Sequence, residues 1–296
     1  MKEKPFSKYQ ILANAVMIIW TLAIILPFIL LFMSSITDEN TLVANGYSFF
    51  PKKFSLASYS YIIKSGGQIL KAYGVSIGVT VVGTLLNVLL SALMAYPLSV
   101  KNLPGRNVMM FFVFFTMLFN GGIVPSYIMW TGTFHIKDTI FAQLLPNFLL
   151  SAWNVMMIRT YFTTSIPYGL YEAAEIDGAS QFTIFWKIVL PLGKPILVTM
   201  GTFAGLAYWN DWTNGLYYIV KNTGLYNVQN LLNQMVQNIQ FLTQSSNSNV
   251  TAAASTIPAT GIQMAIAFVA ILPIMLIFPS FQKYYAKGIA LGAVKG

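Results

Sequence analysis

Six windows of this chain, roughly 11–35, 73–99, 107–131, 140–162, 192–219 and 262–281, are long apolar runs with at most one or two ionisable residues near their ends. A bilayer core about 30 Å thick is crossed by about 20 residues of helix rising about 1.5 Å each. Only 8% of the residues are charged, against about 25% in soluble domains. The chain therefore lacks the polar surface that would cover six such helices in water, and a mean hydropathy of +0.65 agrees. The sequence predicts an all-α integral membrane protein with six transmembrane helices in one domain spanning 1–296.

The first window follows Lys2, Lys4 and Lys8. It is too long for a signal peptide and is followed by no small-residue cleavage site, so it is expected to stay as the first span. Six spans place both termini on one side. With that side cytoplasmic, eleven of the 17 basic residues fall inside: Lys2, Lys4, Lys8, Lys101, Arg106, Arg159, Lys187, Lys194, Lys283, Lys287 and Lys295. The outer side keeps Lys52, Lys53, Lys64, Lys71, Lys137 and Lys221 in longer loops, and this bias sets the orientation. The net charge of +9 then reflects topology and attraction to anionic lipid rather than nucleic-acid binding.

Several chemistries are excluded by composition. The chain has no cysteine and one histidine, His135, so thiolate sites, disulfides and histidine-rich metal sites are absent. No spaced Ser/His/Asp set or metal cluster suggests catalysis. No G-x-x-x-x-G-K-[ST] phosphate loop occurs, since Gly193-Lys194 is followed by proline.

Two outer segments are long, about 36–72 and about 220–260. In the second, Val228, Leu231, Leu232, Met235 and Ile239 have helical spacing and predict a short surface helix before the polar run 243–249. Gly74 with Gly78, and Gly201 with Gly205, allow close helix approach. Pro27, Pro97, Pro125, Pro146 and Pro273 fall where each can bend a span.

The loop between the fourth and fifth windows, about 164–191, is unusual. Three of the eight acidic residues, Glu172, Glu175 and Asp177, sit within six positions. Pro167 suits a first helical turn, Gly178 a position just past a helix end, and Ser180 an N-cap. The pattern predicts a short helix, a tight turn and a second helix from Gln181 to Val189, amphipathic through Phe182, Phe185, Trp186 and Val189, that ends at Leu190-Pro191. Glu172 and Glu175 share a face of the first helix, with Ala173 and Ala174 a low-profile surface beside them. Such a helix can enter a groove on another protein and accept hydrogen bonds from arginines. Gly178 is expected to need a left-handed backbone.

Glu172-Ala-Ala174, Gly178-Ala-Ser180, Ile188, Leu190-Pro191 and Pro195 resemble the EAA loop of permease subunits in binding-protein-dependent ABC importers. Phe119-Asn-Gly-Gly122 with Pro125, Trp209-Asn-Asp211 and the tail Lys287-Gly288 to Gly292-Ala-Val-Lys-Gly296 are similar to the MalG-like carbohydrate-uptake branch. The resemblance implies a bacterial cell-membrane protein working with a second permease, two ATPase subunits and an extracytoplasmic solute-binding protein. It also implies a coupling helix between spans 4 and 5 that docks in a cleft of the ATPase. Glu172 would meet an arginine there, Ala173 and Ala174 would pack closely, and Gly178 would make the turn. ATP and magnesium would be bound by the partner ATPase, with no cofactor in this chain.

Sugars combine apolar faces with dense hydroxyls, so a path for them should pair aromatics with neutral amides. Candidates are Asn120, Asn154, Tyr208, Trp209 and Asn210, each of which could equally make a helix–helix hydrogen bond. Asp211 lies toward the outer end of the fifth window, at a cavity edge or at the interface. An importer of the same architecture for a non-sugar solute is one rival. A secondary carrier is another, but it would usually show ionisable residues mid-membrane for ion coupling.

Overall fold

A computed structural model describes residues 8–64, 66–244 and 259–293. The described residues are helical, with a single isolated antiparallel bridge between Thr37 and Phe54. They fall into two compact units, one of residues up to 69 plus 232–273, the other of 70–231 plus 274 onward.

In the first unit, α1 (Lys8–Ser35) is long and apolar enough to cross a membrane, and its 18-residue apolar window buries nothing within the chain. Leu12, Met17, Ile19 and Trp20 stand exposed along it, as a helix facing hydrocarbon or another subunit requires. Pro27 lies within α1, which continues through it. Its C-terminal end is tied down: Ser35 Oγ and Tyr59 OH are 2.8 Å apart, and the Phe32 and Phe268 ring centroids are 4.9 Å apart. Two short helices follow, α2 (Glu39–Asn45) and α3 (Ala57–Lys64). The Glu39 carboxylate accepts the backbone N–H groups of Thr260 and Gly261 at 2.9 and 2.8 Å, the N-terminal donors of the last long helix, Ala259–Ala293. Within that helix Thr260–Ile277 is the candidate span.

The second unit is built on α4 (Gly66–Ser99), whose Gly67–Ser99 stretch is a further candidate span running through Pro97. The third window does not form one straight helix. It divides into α5 (Arg106–Leu118) and α6 (Ile123–Ile128), which extends through a π-helical turn at Met129–Thr133, with a 109° bend between the two parts. Asn120 Oδ1 accepts the Gly122 N–H at 2.8 Å in that bend.

The fourth window also departs from the expected continuous helix: α7 (Phe141–Leu144) and α8 (Ala152–Ser165) are separated by irregular backbone. Pro146 cannot continue the hydrogen-bond ladder, and Asn147 is left-handed at φ +67°. Amides satisfy the freed carbonyls, with Asn214 Nδ2 donating to Pro146 O at 3.1 Å and Asn87 Nδ2 to Phe148 O at 2.7 Å. Irregular backbone at membrane depth survives only where protein or water satisfies it in this way. The helical parts of the fifth window are α12 (Lys194–Asn210) and α13 (Thr213–Tyr218), broken at Asp211-Trp212. Among the described residues three helices can cross a membrane by length and composition, or up to five if each bent pair counts as one.

Of the two glycine pairs, Gly201 and Gly205 are used for packing within the chain. A Cβ at either would lie 3.3 Å from Val88 or Thr84 of α4, whereas Gly74 and Gly78 face nothing within 4 Å. The helix expected from the 228–239 pattern is Val228–Gln244, and the polar run 243–249 lies outside the described residues beyond Gln244.

Candidate functional site

The acidic loop folds as a helix, a turn and a helix. The first helix, α9 (Gly169–Ile176), opens two residues after Pro167, with Leu170 N donating to Pro167 O at 3.1 Å. It closes with Gly178 at φ +73°, Gly178 N donating to Glu175 O at 3.0 Å and Ala179 N to Ala174 O at 2.9 Å. This pair of bonds satisfies the last carbonyls and needs a left-handed residue at Gly178. Ser180 Oγ then accepts the Thr183 N–H at 3.3 Å and caps α10 (Gln181–Ile184).

Beneath the loop lies an apolar core that includes Tyr96, Val155, Ile158, Phe162, Phe185 and Val189. Tyr171 and Ala174 of α9 belong to it. Ala174 therefore faces this chain's own interior, and the outward small residue is Ala173 alone. Tyr96 OH donates to Gln181 Oε1 at 2.5 Å, and Gln181 Nε2 donates to Glu175 Oε1 at 2.8 Å. Glu175 is thus engaged within the loop, whereas Glu172 is exposed and its carboxylate has no hydrogen-bond or ion partner among the described residues. Next to it stand Ala173 and Ile176, which is 86% exposed and one helical turn from Ala173. Ile176 escaped the sequence reading, although its i+3 spacing from Ala173 placed it on the outward face.

The second helix turns its apolar residues differently from the expected stripe. Ile184, Phe185 and Val189 are buried, but Phe182 and Trp186 stand out as an exposed edge-to-face pair with centroids 5.9 Å apart. A π-helical turn at Phe185–Val189 inserts an extra residue per turn and shifts the register between the two halves. The helix runs on through α11 (Leu190–Leu192), slightly past the expected stop at Leu190-Pro191. It meets α12 at a 78° bend. Gly193 sits in that corner: a Cβ there would lie 2.5 Å from Phe162 Cε1 and 2.9 Å from Val189 O.

The candidate path residues separate into two sets. Asn120 and Asn210 are exposed, whereas Asn154, Tyr208, Trp209 and Asp211 are buried. Asn154 Nδ2 donates to Asn87 Oδ1 at 2.7 Å, and Tyr208 OH donates to Leu144 O at 2.8 Å, so both make inter-helix bonds. The Tyr73 and Trp209 rings are 6.4 Å apart. Asp211 Oδ1 accepts the backbone N–H of Thr213 at 3.0 Å, the Thr213 hydroxyl at 2.7 Å and the Asn214 N–H at 3.2 Å, capping α13.

Around these residues runs a network of buried amides that the sequence reading missed. Asn227 Nδ2 donates to Gln143 Oε1 at 3.1 Å and Asp211 O at 2.6 Å, while Asn227 Oδ1 accepts the Asn230 N–H at 2.8 Å. Gln143 Nε2 donates to Leu225 O at 2.9 Å, and Asn230 Nδ2 to Trp212 O at 2.5 Å. Amides standing inside apolar windows, such as Asn87, Gln143, Asn147 and Asn214, were the available signal. Among the described residues no group of three or more His, Cys, Asp or Glu could hold a metal.

The family model of the inner-membrane component of binding-protein-dependent transport systems matches residues 72–291. The chain belongs to this family. Among relatives of this inner-membrane component, protein LplC of Bacillus subtilis (strain 168) is 36% identical, the match covering 92% of this chain and 90% of LplC. The polygalacturonan/rhamnogalacturonan transport system permease protein YtcP of the same organism is also 36% identical, over 97% of this chain and 98% of YtcP. A crystal structure of a bacterial ABC transporter involved in the import of the acidic polysaccharide alginate contains a chain that superposes with a TM-score of 0.79. The match is 26% identical and covers 95% of this inner-membrane component and 100% of that chain.

Proposed function

We propose that the chain is the permease half of an ATP-driven sugar importer, docked through α9 onto a separate ATPase. The observation that carries the reading is an outward ridge on a rigid base. Glu172, Ala173 and Ile176 project from a helix whose other face is locked into the core, and the bend at Gly193 leaves no slack before α12. A push on α9 therefore reaches α12 directly. Glu172 offers a carboxylate to a cation on the ATPase, while Ala173 and Ile176 fill an apolar cleft.

The topology proposed is six spans with both termini cytoplasmic, the broken segments 106–133, 141–165 and 194–218 each completing one crossing. Supporting it are the basic-residue bias and the hydrogen bonds that close each break. The cargo proposed is a carbohydrate, as an oligosaccharide, delivered by an extracytoplasmic binding protein to a path shared with a second permease. The sugar-transport roles of relatives support that cargo, as do the buried amides Gln143, Asn214, Asn227 and Asn230. A secondary carrier would usually show ionisable groups at mid-membrane for ion coupling; the buried acid Asp211 lies at the outer end of the fifth window, where Oδ1 accepts the first N–H groups of α13 and Oδ2 has no hydrogen-bond partner among the described residues.

The absence of native cysteine makes the topology directly testable. A single cysteine at Gly169, whose Cβ would face open space, should react with an impermeant maleimide only in inverted vesicles. One at Lys221 should react only in intact cells. Reaction of the Gly169→Cys chain from outside would overturn the proposed orientation, and with it ATPase docking at α9.

A further inference from the structure

The turn joining α4 to α5 forms an open surface hollow of about 220 Å³ lined by Lys101, Leu103, Gly105, Arg106, Asn107 and Val108. Arg159 of α8 reaches the start of the same turn, where its Nε donates to Leu98 O at 3.2 Å, and the positive charge of Arg106 acts against its own. Lys101 Nζ stands 5.3 Å from the centroid of the Tyr168 ring, at the start of α9. Both arginines are half-buried. None of the three cations has a carboxylate partner among the described residues, where the ion pair formed is Lys53 with Asp38. Lys101 is exposed, but the two half-buried arginines stand near one another without an anion, an unfavourable arrangement, so the site calls for negative charge from outside the chain.

The surroundings identify the bearer of that charge. Val108, Phe111, Phe112 and Phe115 recur at i, i+3, i+4 and i+7 along α5 and form one apolar stripe, starting at the rim of the hollow, on a helix that also exposes Met109, Phe114, Met117 and Leu118. A ligand matching both features has a phosphate at one end and long hydrocarbon at the other. We propose that Lys101, Arg106 and Arg159 bind the phosphate of an anionic phospholipid whose acyl chains lie along the α5 stripe. This goes beyond the coupling role and shares with it only the placement of these helices in a membrane. Because Lys101 also faces Tyr168, the bound headgroup steadies the base of α9.

The test is native mass spectrometry of the full chain, purified with its partner subunits and supplied with phosphatidylglycerol or phosphatidylcholine. Phosphatidylglycerol should stay bound and phosphatidylcholine should not. Arg106→Gln with Arg159→Gln should weaken retention roughly thirtyfold, about fivefold for each guanidinium. Arg106→Lys with Arg159→Lys should largely restore it, and Lys52→Gln with Lys221→Gln should leave it unchanged. Glu172→Ala should also leave it unchanged, so failure of ATPase docking is read separately. Equal retention of both lipids, full retention by the glutamine pair, or loss from the lysine pair as complete as from the glutamine pair would overturn the proposal. Displacement of phosphatidylglycerol by equimolar inorganic phosphate would overturn it too, in favour of a free-phosphate site.

Discussion

The two ends of α12 are built from different materials. At its start, Gly193 fits against Phe162 and the Val189 carbonyl, and Ile196 and Met200 continue an apolar core. At its end, the chain breaks at Asp211 into buried amides in which Asn214, Asn227 and Asn230 each make several hydrogen bonds. Close-packed apolar contacts resist compression and pass on a displacement. A network of buried amides instead supplies the hydrogen bonds that irregular backbone needs, here around the buried carboxyl of Asp211. Under the proposed role, the first end receives force from the ATPase and the second holds an amide-rich polar region beside the sugar path.

Breaking the amide end should cost most. Asn227→Leu leaves Gln143 Oε1, Asp211 O and the Asn230 N–H each short of a partner, and each buried group so orphaned costs about 1–3 kcal/mol. The variant should show the largest fall in melting temperature by fluorescence-detected size exclusion. Gly193→Ala should come next, at about 1–3 kcal/mol for overpacking, and should also slow uptake by misaiming α9. Full uptake with a lowered melting temperature would separate the bend's packing from coupling. Gln181→Ala removes the link between Tyr96 and Glu175, worth about 1 kcal/mol, and should raise amide exchange in α9 while the amide end stays protected.

The smallest effect concerns the loop beside the amide network. Asp138 Oδ1 accepts the N–H groups of Val220, Lys221 and Asn222. The Lys221 N–H bond is the largest influence holding its carboxyl below the ordinary value, opposed in part by desolvation. A carboxyl depressed in the folded state contributes stability above its unfolded pKa of about 3.9, lost as pH falls through the lower folded value. Protection of those three amides, taken relative to the intrinsic exchange rate at each pH, should therefore be unchanged from pH 8 to 5 and fall only below about pH 4. Opening near pH 6 would contradict the assignment.

Much of this was legible in the sequence because it rests on local signals. Pro167, Gly178 and Ser180 marked the helix, turn and cap of the acidic loop, and unbroken apolar runs marked α1, α4 and the last long helix. The break at Pro146-Asn147 was hidden because hydropathy records composition and not where carbonyls find donors. That depends on Asn87 and Asn214, each more than 50 positions away in sequence. The outward turn of Phe182 and Trp186 was hidden because a π-helical turn shifts the face that a 3.6-residue period assigns. Likewise, Ala174 packs inward and Glu175 is held by Gln181, contacts that leave Glu172 on the ridge, and the exposed Asp177 just past the helix end, as the unengaged acids of the loop.

That difference between two neighbouring acids gives the most direct test of docking. The permease would be purified by a tag with its ATPase co-expressed, and retained ATPase measured for Glu172→Ala and Glu175→Ala alongside sugar uptake. Truncating one partner of a buried charge pair costs about 2–5 kcal/mol, so Glu172→Ala should lose most of the ATPase and its uptake while keeping the parental melting temperature. Glu175→Ala should retain most of the ATPase and lose mainly thermal stability. Parental ATPase retention and uptake in Glu172→Ala would contradict the account.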